Sequence, residues 1–369
     1  MDDLERALIP ATDQNVESIV RRPNPRITRG LARAVGMTRD KSDLLEVKST
    51  VYEWSRERGS TYFKATLYSS LVWFSLDHLC CDPLGHYILT GDKIYSPDGD
   101  LLTSLENNDW VRYWYDDYDD GTSIISMVSA EDSWLLARFS RAFSEDEVIY
   151  RANWLFDEIP VTVYVSSEES LSFVVPSGGD IICGLYGGGF LIVSDDREVR
   201  YVNTDSVYVS GAIANGYLYA VSESTNSYIH MFDVQDLLAQ ATVAEGPSNA
   251  RRPTIQHELQ LDGYPLRVTT DGEGIFILKS SVPIPAGDDD QLYNHIEGAL
   301  EDMDVTVAVA LGHQVIGSFK ARYRNAQLVP IDLAVSESSI AMFGLQISAE
   351  GVTVGLYIAD KWQHANHLE

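Results

Sequence analysis

Trp110 to Tyr115 (WVRYWY) places four aromatic rings in six residues. As a strand it would set Trp110, Arg112 and Trp114 on one face and Val111, Tyr113 and Tyr115 on the other, because successive strand side chains alternate. Such a row either wedges between packed sheets or offers flat apolar faces to a protein or a sugar, and Trp110 and Trp114 are the rings that would bind a partner. The segment runs into Asp116-Asp117-Tyr118-Asp119-Asp120-Gly121, whose carboxylates suggest a cation loop. An EF-hand needs oxygen donors at alternate positions and a bidentate Glu at the twelfth. Here Tyr118 stands third and Met127 twelfth, so a solvated acidic turn is expected, and the same holds for Asp288-Asp289-Asp290.

Other chemistries find less support. Gly187-Gly188-Gly189 precedes an apolar strand, Phe190 to Val193, whereas a phosphate loop needs a following helix whose first amides face the anion. It reads as a tight turn between strands. There is no Gly-x-Ser-x-Gly elbow and no His-Glu-x-x-His pair. The eight His are scattered, with His364 and His367 together only in the polar tail, and Asp and Glu are too numerous for spacing to single out a glycosidase dyad. Cys80, Cys81 and Cys183 form no disulfide framework and are expected as buried, reduced thiols in a protein made inside a reducing cell. No catalytic residue, metal site or cofactor is expected.

Charge divides the chain. Residues 21–41 carry Arg21, Arg22, Arg26, Arg29, Arg33, Arg39 and Lys41 against Asp40 alone, within a chain of formal net charge −28. Residues 51–369 carry 18 basic and 47 acidic residues. A basic arm, 1–50, is thus attached to an acidic body, 51–369, and only the arm suits a nucleic acid or an acidic partner, since the body repels phosphates. Seven Lys against twenty Arg, with abundant Asp, resembles proteins from salt-rich habitats; an ordinary acidic extracellular or virion protein is the other reading. The first residues lack the basic and apolar regions of a secretory signal, and no run approaches the roughly 18 apolar residues of a membrane helix.

The elements that must position these residues are strands. Ala212 to Val221 (AIANGYLYAV) breaks at Asn215-Gly216, a pair that accepts positive φ and so signals a hairpin. Ser338 to Ile358 breaks likewise at Ala349-Glu350-Gly351. Apolar runs begin near Leu71, Thr122, Leu171, Val207, Leu266 and Val329, at intervals of 51, 49, 36, 59 and 63 residues. That spacing fits four-stranded units, six of them, or seven if a long interval hides another. Each unit would bury its faces only against neighbours, which favours a closed ring. Val352 to Ile358 would close it with a strand from the start of the body, Tyr62 to Tyr68. Val234 to Arg252 and Pro283 to Asp304 interrupt the pattern, each with a short helix, and are expected to project from the rim. Residues 1–50 carry Pro10, Pro23 and Pro25 and no sustained apolar period, with short helices feasible at Leu31–Val35 and Asp43–Val47. Alone they cannot bury enough surface to offset the entropy of ordering, so they are expected to dock on the body or on a neighbouring subunit.

Over residues 61–360 the pattern resembles the β-propeller repeat proteins, at the level of fold. Neither the Gly-His and Trp-Asp pairs of WD40 repeats nor the Asp box of sialidases is present; Ser96-Pro97-Asp98-Gly99-Asp100 misplaces the glycine. A pair of two-sheet sandwiches is the competing fold. The resemblance implies an all-β, closed propeller of about six four-stranded blades with an extended N-terminal arm. The chain looks like a propeller subunit of a virus tail, nozzle or spike. It is expected to be a non-enzymatic part of an assembly, made in the host cytoplasm, that meets other protein subunits in a homo-oligomeric ring or symmetric array. The alternatives are a glycan-binding adhesin and a propeller glycosidase or lyase.

Overall fold

The computed structural model describes residues 43–361 with several exceptions. These are 48, 58–78, the connections between strands from 79 to 166 apart from residue 100, 167–170, 178–179, 186, 195–197, 224–225, 244–249, 284–303, 325, 336–338 and 348–350. The described chain is all-β apart from one short helix.

Two strands open it, β1 (Asp43–Glu46) and β2 (Ser49–Glu57). Four separate four-stranded antiparallel sheets follow in chain order. The first holds β3 (Leu79–Cys81), β4 (Ile88–Thr90), β5 (Lys93–Tyr95) and β6 (Leu101–Ser104). The second holds β7 (Ser123–Ala130), β8 (Ser133–Ser144), β9 (Glu147–Trp154) and β10 (Val161–Ser166). The third holds β11 (Leu171–Ser177), β12 (Asp180–Leu185), β13 (Phe190–Val193) and β14 (Val199–Val202). The fourth holds β15 (Tyr208–Ala214), β16 (Tyr217–Ser222), β17 (Tyr228–Asp233) and β18 (His257–Gln260), with helix α1 (Val234–Gln240) between its last two strands.

The remaining strands are joined in one nine-stranded sheet, eight of them in a single path and β1 paired to β22 off it. Its first part is β19 (Tyr264–Thr270), β20 (Ile275–Ser280), β21 (Val305–Leu311) and β22 (Gln314–Tyr323). Its second part is β23 (Ala326–Val335), β24 (Ser339–Ile347) and β25 (Gly351–Asp360), with β2 as the outer strand. Between β22 and β23 the ladder is short, Ala321↔Leu328 to Tyr323↔Ala326, and we refer to the two four-stranded parts as the fifth and sixth sheets. Successive sheets abut through their first strands, β11 against β15, β15 against β19 and β19 against β23.

The inner strands β12, β13, β16 and β20 read as near-continuous apolar runs because they are buried on both faces. In β16, Leu218 and Ala220 pack towards the third sheet with Phe190 and Phe232, while Tyr219 and Val221 pack towards the fifth with Ile275 and Ile277. In β20, Ile275 and Ile277 face the fourth sheet and Phe276 and Leu278 the sixth. The period of two therefore distributes each strand between two seams, and each fully buried aliphatic or aromatic side chain contributes about 1.5–3 kcal/mol.

The first strands share a second feature. Against the second strand of its own sheet, each of the last four shifts register by one residue, at Leu171/Phe173, Tyr208/Ser210, Pro265/Arg267 and Pro330/Asp332. Such bulges bend and twist an edge strand and aim its side chains across the seam. Pro265 and Pro330 are tolerated there because a sheet edge does not need every N–H.

Sequence signals for turns hold locally. Asn215 (φ 51°) and Gly216 (φ 80°) form the two-residue β15–β16 turn. Gly188 and Gly189 (φ 91° and 94°) turn β12 into β13, with Gly188 N–H donating to Leu185 O at 3.0 Å. The insertion after β17 does carry a helix, capped by Asp233, whose Oδ1 accepts from Asp236 N–H at 2.9 Å. It does not simply project. Val234 and Leu237 are buried, and Thr242 exchanges backbone bonds with Tyr201 at 2.9 and 3.0 Å, so the segment lies along β14 and covers that sheet edge.

Candidate interaction site

The junction between the N-terminal segment and the body is built by β1 and β2. Leu44, Leu45 and Glu46 are good helix formers, and a short helix over Asp43–Val47 is the expectation from propensity. The segment is instead a strand, parallel to β22 from Asp43↔Phe319 to Glu46↔Arg322, and Val47 N–H donates to Arg322 O at 2.9 Å. Tertiary burial overrides propensity: Leu45 is 2% exposed and Val47 6%, both in the core of the fifth and sixth sheets, while Leu44, just before them, is 47% exposed. β1 thus caps part of the edge of β22, which would otherwise present unpaired backbone groups.

β2 runs antiparallel to β25 from Ser49↔Ile358 to Glu57↔Gly351. β2 is the fourth strand of the sixth sheet; Tyr62 to Tyr68, expected in that place, lie outside the described residues. Beneath the junction, Tyr323 meets Tyr357 edge-on at 5.2 Å, its hydroxyl lies 3.4 Å from Thr50 Oγ1, and its carbonyl accepts from Gln346 Nε2 at 2.9 Å. Residue 50 lies inside β2, and Asp43–Glu46, Ser49 and Thr50 pair with strands of the body. The strand signal was present in Val51, Tyr52 and Trp54, aromatic and β-branched residues favoured in strands.

Arg21, Arg22, Arg26, Arg29 and Arg33, together with Trp110, Trp114 and the acidic run Asp116–Gly121, lie outside the described residues. The structure fixes the point from which the arm departs, Asp43 at the outer edge of the fifth sheet.

The acid–base groups that the described residues bring together sit in seams. Tyr208 OH lies 2.7 Å from His230 Nδ1, and His230 Nε2 is 4.0 Å from Glu258 Oε1. Phe190 stacks on Tyr208 at 5.3 Å and Phe232 meets it edge-on at 5.6 Å. Burial pushes the Tyr208 hydroxyl up and His230 down, with Glu258 opposing the latter. A Tyr–His–Glu row has the composition of a proton relay; here it lies within the fourth sheet, with His230 7% exposed between Phe232 and Tyr228. Cys183 is fully buried and desolvation pushes its thiol up, which leaves it protonated and unreactive. Lys361 and Asp271 form an ion pair with side chains 4% and 2% exposed, joining the β19–β20 turn to the end of β25; Asp271 Oδ1 also accepts from Glu273 and Gly274 N–H. Among the described residues no three His, Cys, Asp or Glu side chains converge as a metal site, and no helix is long and apolar enough to cross a membrane.

No protein-family model and no curated protein matches the chain. Among solved structures it is similar to the WD40 repeats of RRP9, at 8% identity and a TM-score of 0.43, over 86% of this chain and 100% of that one. It is also similar to BBS1N in complex with ARL6DN, at 9% and 0.40 over 74% of each chain, and to the AfRom2 CNH domain, at 10% and 0.37 over 77% and 79%. These neighbours are of the β-propeller and WD40 type, matching the resemblance read from the strand repeats without any family motif. Likenesses this distant carry no argument about activity or partners.

Proposed function

We propose that the chain is a closed six-bladed propeller acting as a non-enzymatic interaction subunit of a larger assembly, a virus tail, nozzle or spike, held there by its basic N-terminal arm. Support for closure comes from the first strands. They neighbour one another in sequence order from β3 to β23, and β23 in turn lies against β3. Counting β2 as the fourth strand of the last sheet gives six units of four.

The observation that carries the functional reading is the anchoring of β1 and β2. The segment that follows the Arg cluster is tied to two sheets through ladders to β22 and β25 and through buried Leu45 and Val47. Load on the arm would therefore pass into the body instead of peeling a loose tail. Charge names the arm's target: a segment with seven bases against one acid in residues 21–41 complements the acidic body of a neighbouring copy, in a homo-oligomeric ring or symmetric array, or a nucleic acid held by the assembly.

Removing residues 1–42, which spares both anchoring strands, tests this. Sedimentation of the full chain is expected to show oligomers that dissociate as salt rises, and the shortened chain should remain a folded monomer. Unchanged assembly after this deletion would refute the arm's role.

A further inference from the structure

We infer that His257 and His313 form a two-histidine site for a borderline transition-metal ion, zinc(II), nickel(II) or copper(II), across the seam between the fourth and fifth sheets. The two imidazoles are exposed, with ring centroids 5.7 Å apart and planes at 32°. At a metal–nitrogen distance of about 2.0–2.1 Å, two imidazoles on one ion hold their ring centres roughly 4.5–6.4 Å apart as the angle between them opens. The observed separation lies in that window, and as surface side chains both can turn a nitrogen lone pair towards a common point.

What distinguishes the pair from a chance surface contact is how each ring is carried. His257 begins β18, opposite Met231 in the ladder, and the preceding Gln256 N–H donates to Met231 O at 2.9 Å. His313 sits in the Gly312–His313 turn between β21 and β22, where Gly312 has φ 55°. That turn belongs to the fifth sheet, yet Gly312 O accepts from the hydroxyl of Tyr219, a buried residue of the fourth, at 3.0 Å. Tyr217 flanks His257 at 6.3 Å. The backbone segments that carry the two ligands, on separate sheets, are thus held relative to one another before any ion arrives, which lowers the entropic cost of chelation. Imidazole selects these metals over magnesium or calcium, the chain's formal net charge of −28 favours cations over anions, and water completes the coordination shell. Bound metal would staple the seam and stabilise the fold by mass action.

The test uses the full chain freed of metal by chelation, then titrated calorimetrically with nickel(II) and melted with nickel(II), zinc(II) or magnesium(II) at matched ionic strength. One ion per chain and a rise in melting temperature with nickel and zinc beyond that with magnesium are expected. His257→Ala and His313→Ala should each melt like the parent without metal and lose the rise. His364→Ala/His367→Ala, removing the tail histidines, should keep it. A rise retained in both seam variants, lost only in the tail variant, or absent from the parent would overturn the inference.

Discussion

The hydroxyl of Ser210 accepts from Val268 N–H at 3.0 Å and reaches back to Val268 O at 3.4 Å, so one side chain satisfies both backbone groups of a residue in the next sheet. Ser172 does part of the same work one sheet earlier, donating to Tyr208 O. Both hydroxyls lie at the bulges of their strands. Ser210→Ala leaves a buried amide without its partner and is expected to cost about 1–3 kcal/mol. The measurement is the midpoint of denaturant unfolding at unchanged slope; a shift below the error of the fit would show that water replaces the hydroxyl.

Phe173 occupies the space that two glycines leave open. A Cβ on Gly184 or on Gly211 would fall inside the van der Waals envelope of its ring. Gly211→Ala is expected to destabilise by about 1–3 kcal/mol, the usual range for overpacking a dense core. Adding Phe173→Leu to the same chain should return part of that loss, because the two sites touch and are not additive. Strict additivity in the cycle would contradict the contact.

Leu44 and Leu45 are adjacent and should behave oppositely. Leu45→Ala empties a core position at 2% exposure and is expected to cost about 2–5 kcal/mol, whereas Leu44→Ala, at 47% exposure, should stay within about 0.5 kcal/mol. Reversed magnitudes would mean that β1 presents its other face.

Much of this architecture was legible in the sequence. Runs marked at Thr122, Leu171, Val207, Leu266 and Val329 begin within three residues of β7, β11, β15, β19 and β23. Asn215-Gly216 and Gly187-Gly188-Gly189 turn as their positive φ angles demand. β1 was not legible, since Leu-Leu-Glu favours helix by propensity and only pairing with β22 overrides it. Nor were the pairs that cross the molecule: Tyr208 and His230 stand 22 residues apart and Tyr219 and Gly312 stand 93, and no local pattern links them.

His230 makes stability depend on acidity with a definite sign. Its folded pKa is lowered by burial, so below the ordinary value of 6.5 the unfolded chain takes up a proton that the folded chain refuses. Stability is therefore expected to fall as pH drops from about 6.5 towards the lowered value, and to be unaffected by this residue above it. His230→Gln should flatten that part of the profile measured by thermal melting between pH 5 and 7.5. An unchanged slope would assign the dependence to other groups.

Salt should act on the whole body. With 47 acidic and 18 basic residues from 51 to 369, self-repulsion is expected to weaken as the screening length shortens from about 10 Å at 0.1 M to about 3 Å at 1 M. The melting temperature should rise over that range in sodium chloride. A flat or falling curve would remove the salt-adapted reading of the composition.

The pairing of β2 with β25 also sets an order of events in time. On the ribosome β2 emerges long before its partner, and at about 5–20 residues per second the roughly 290 residues between them take on the order of 15–60 s to make. Until β22 is made β1 has no ladder to join, and until β25 is made β2 has none, so the sixth sheet stays incomplete. Maturation of this chain is thus a wait by its first strands for its last, during which their bare edges are open to any other nascent copy.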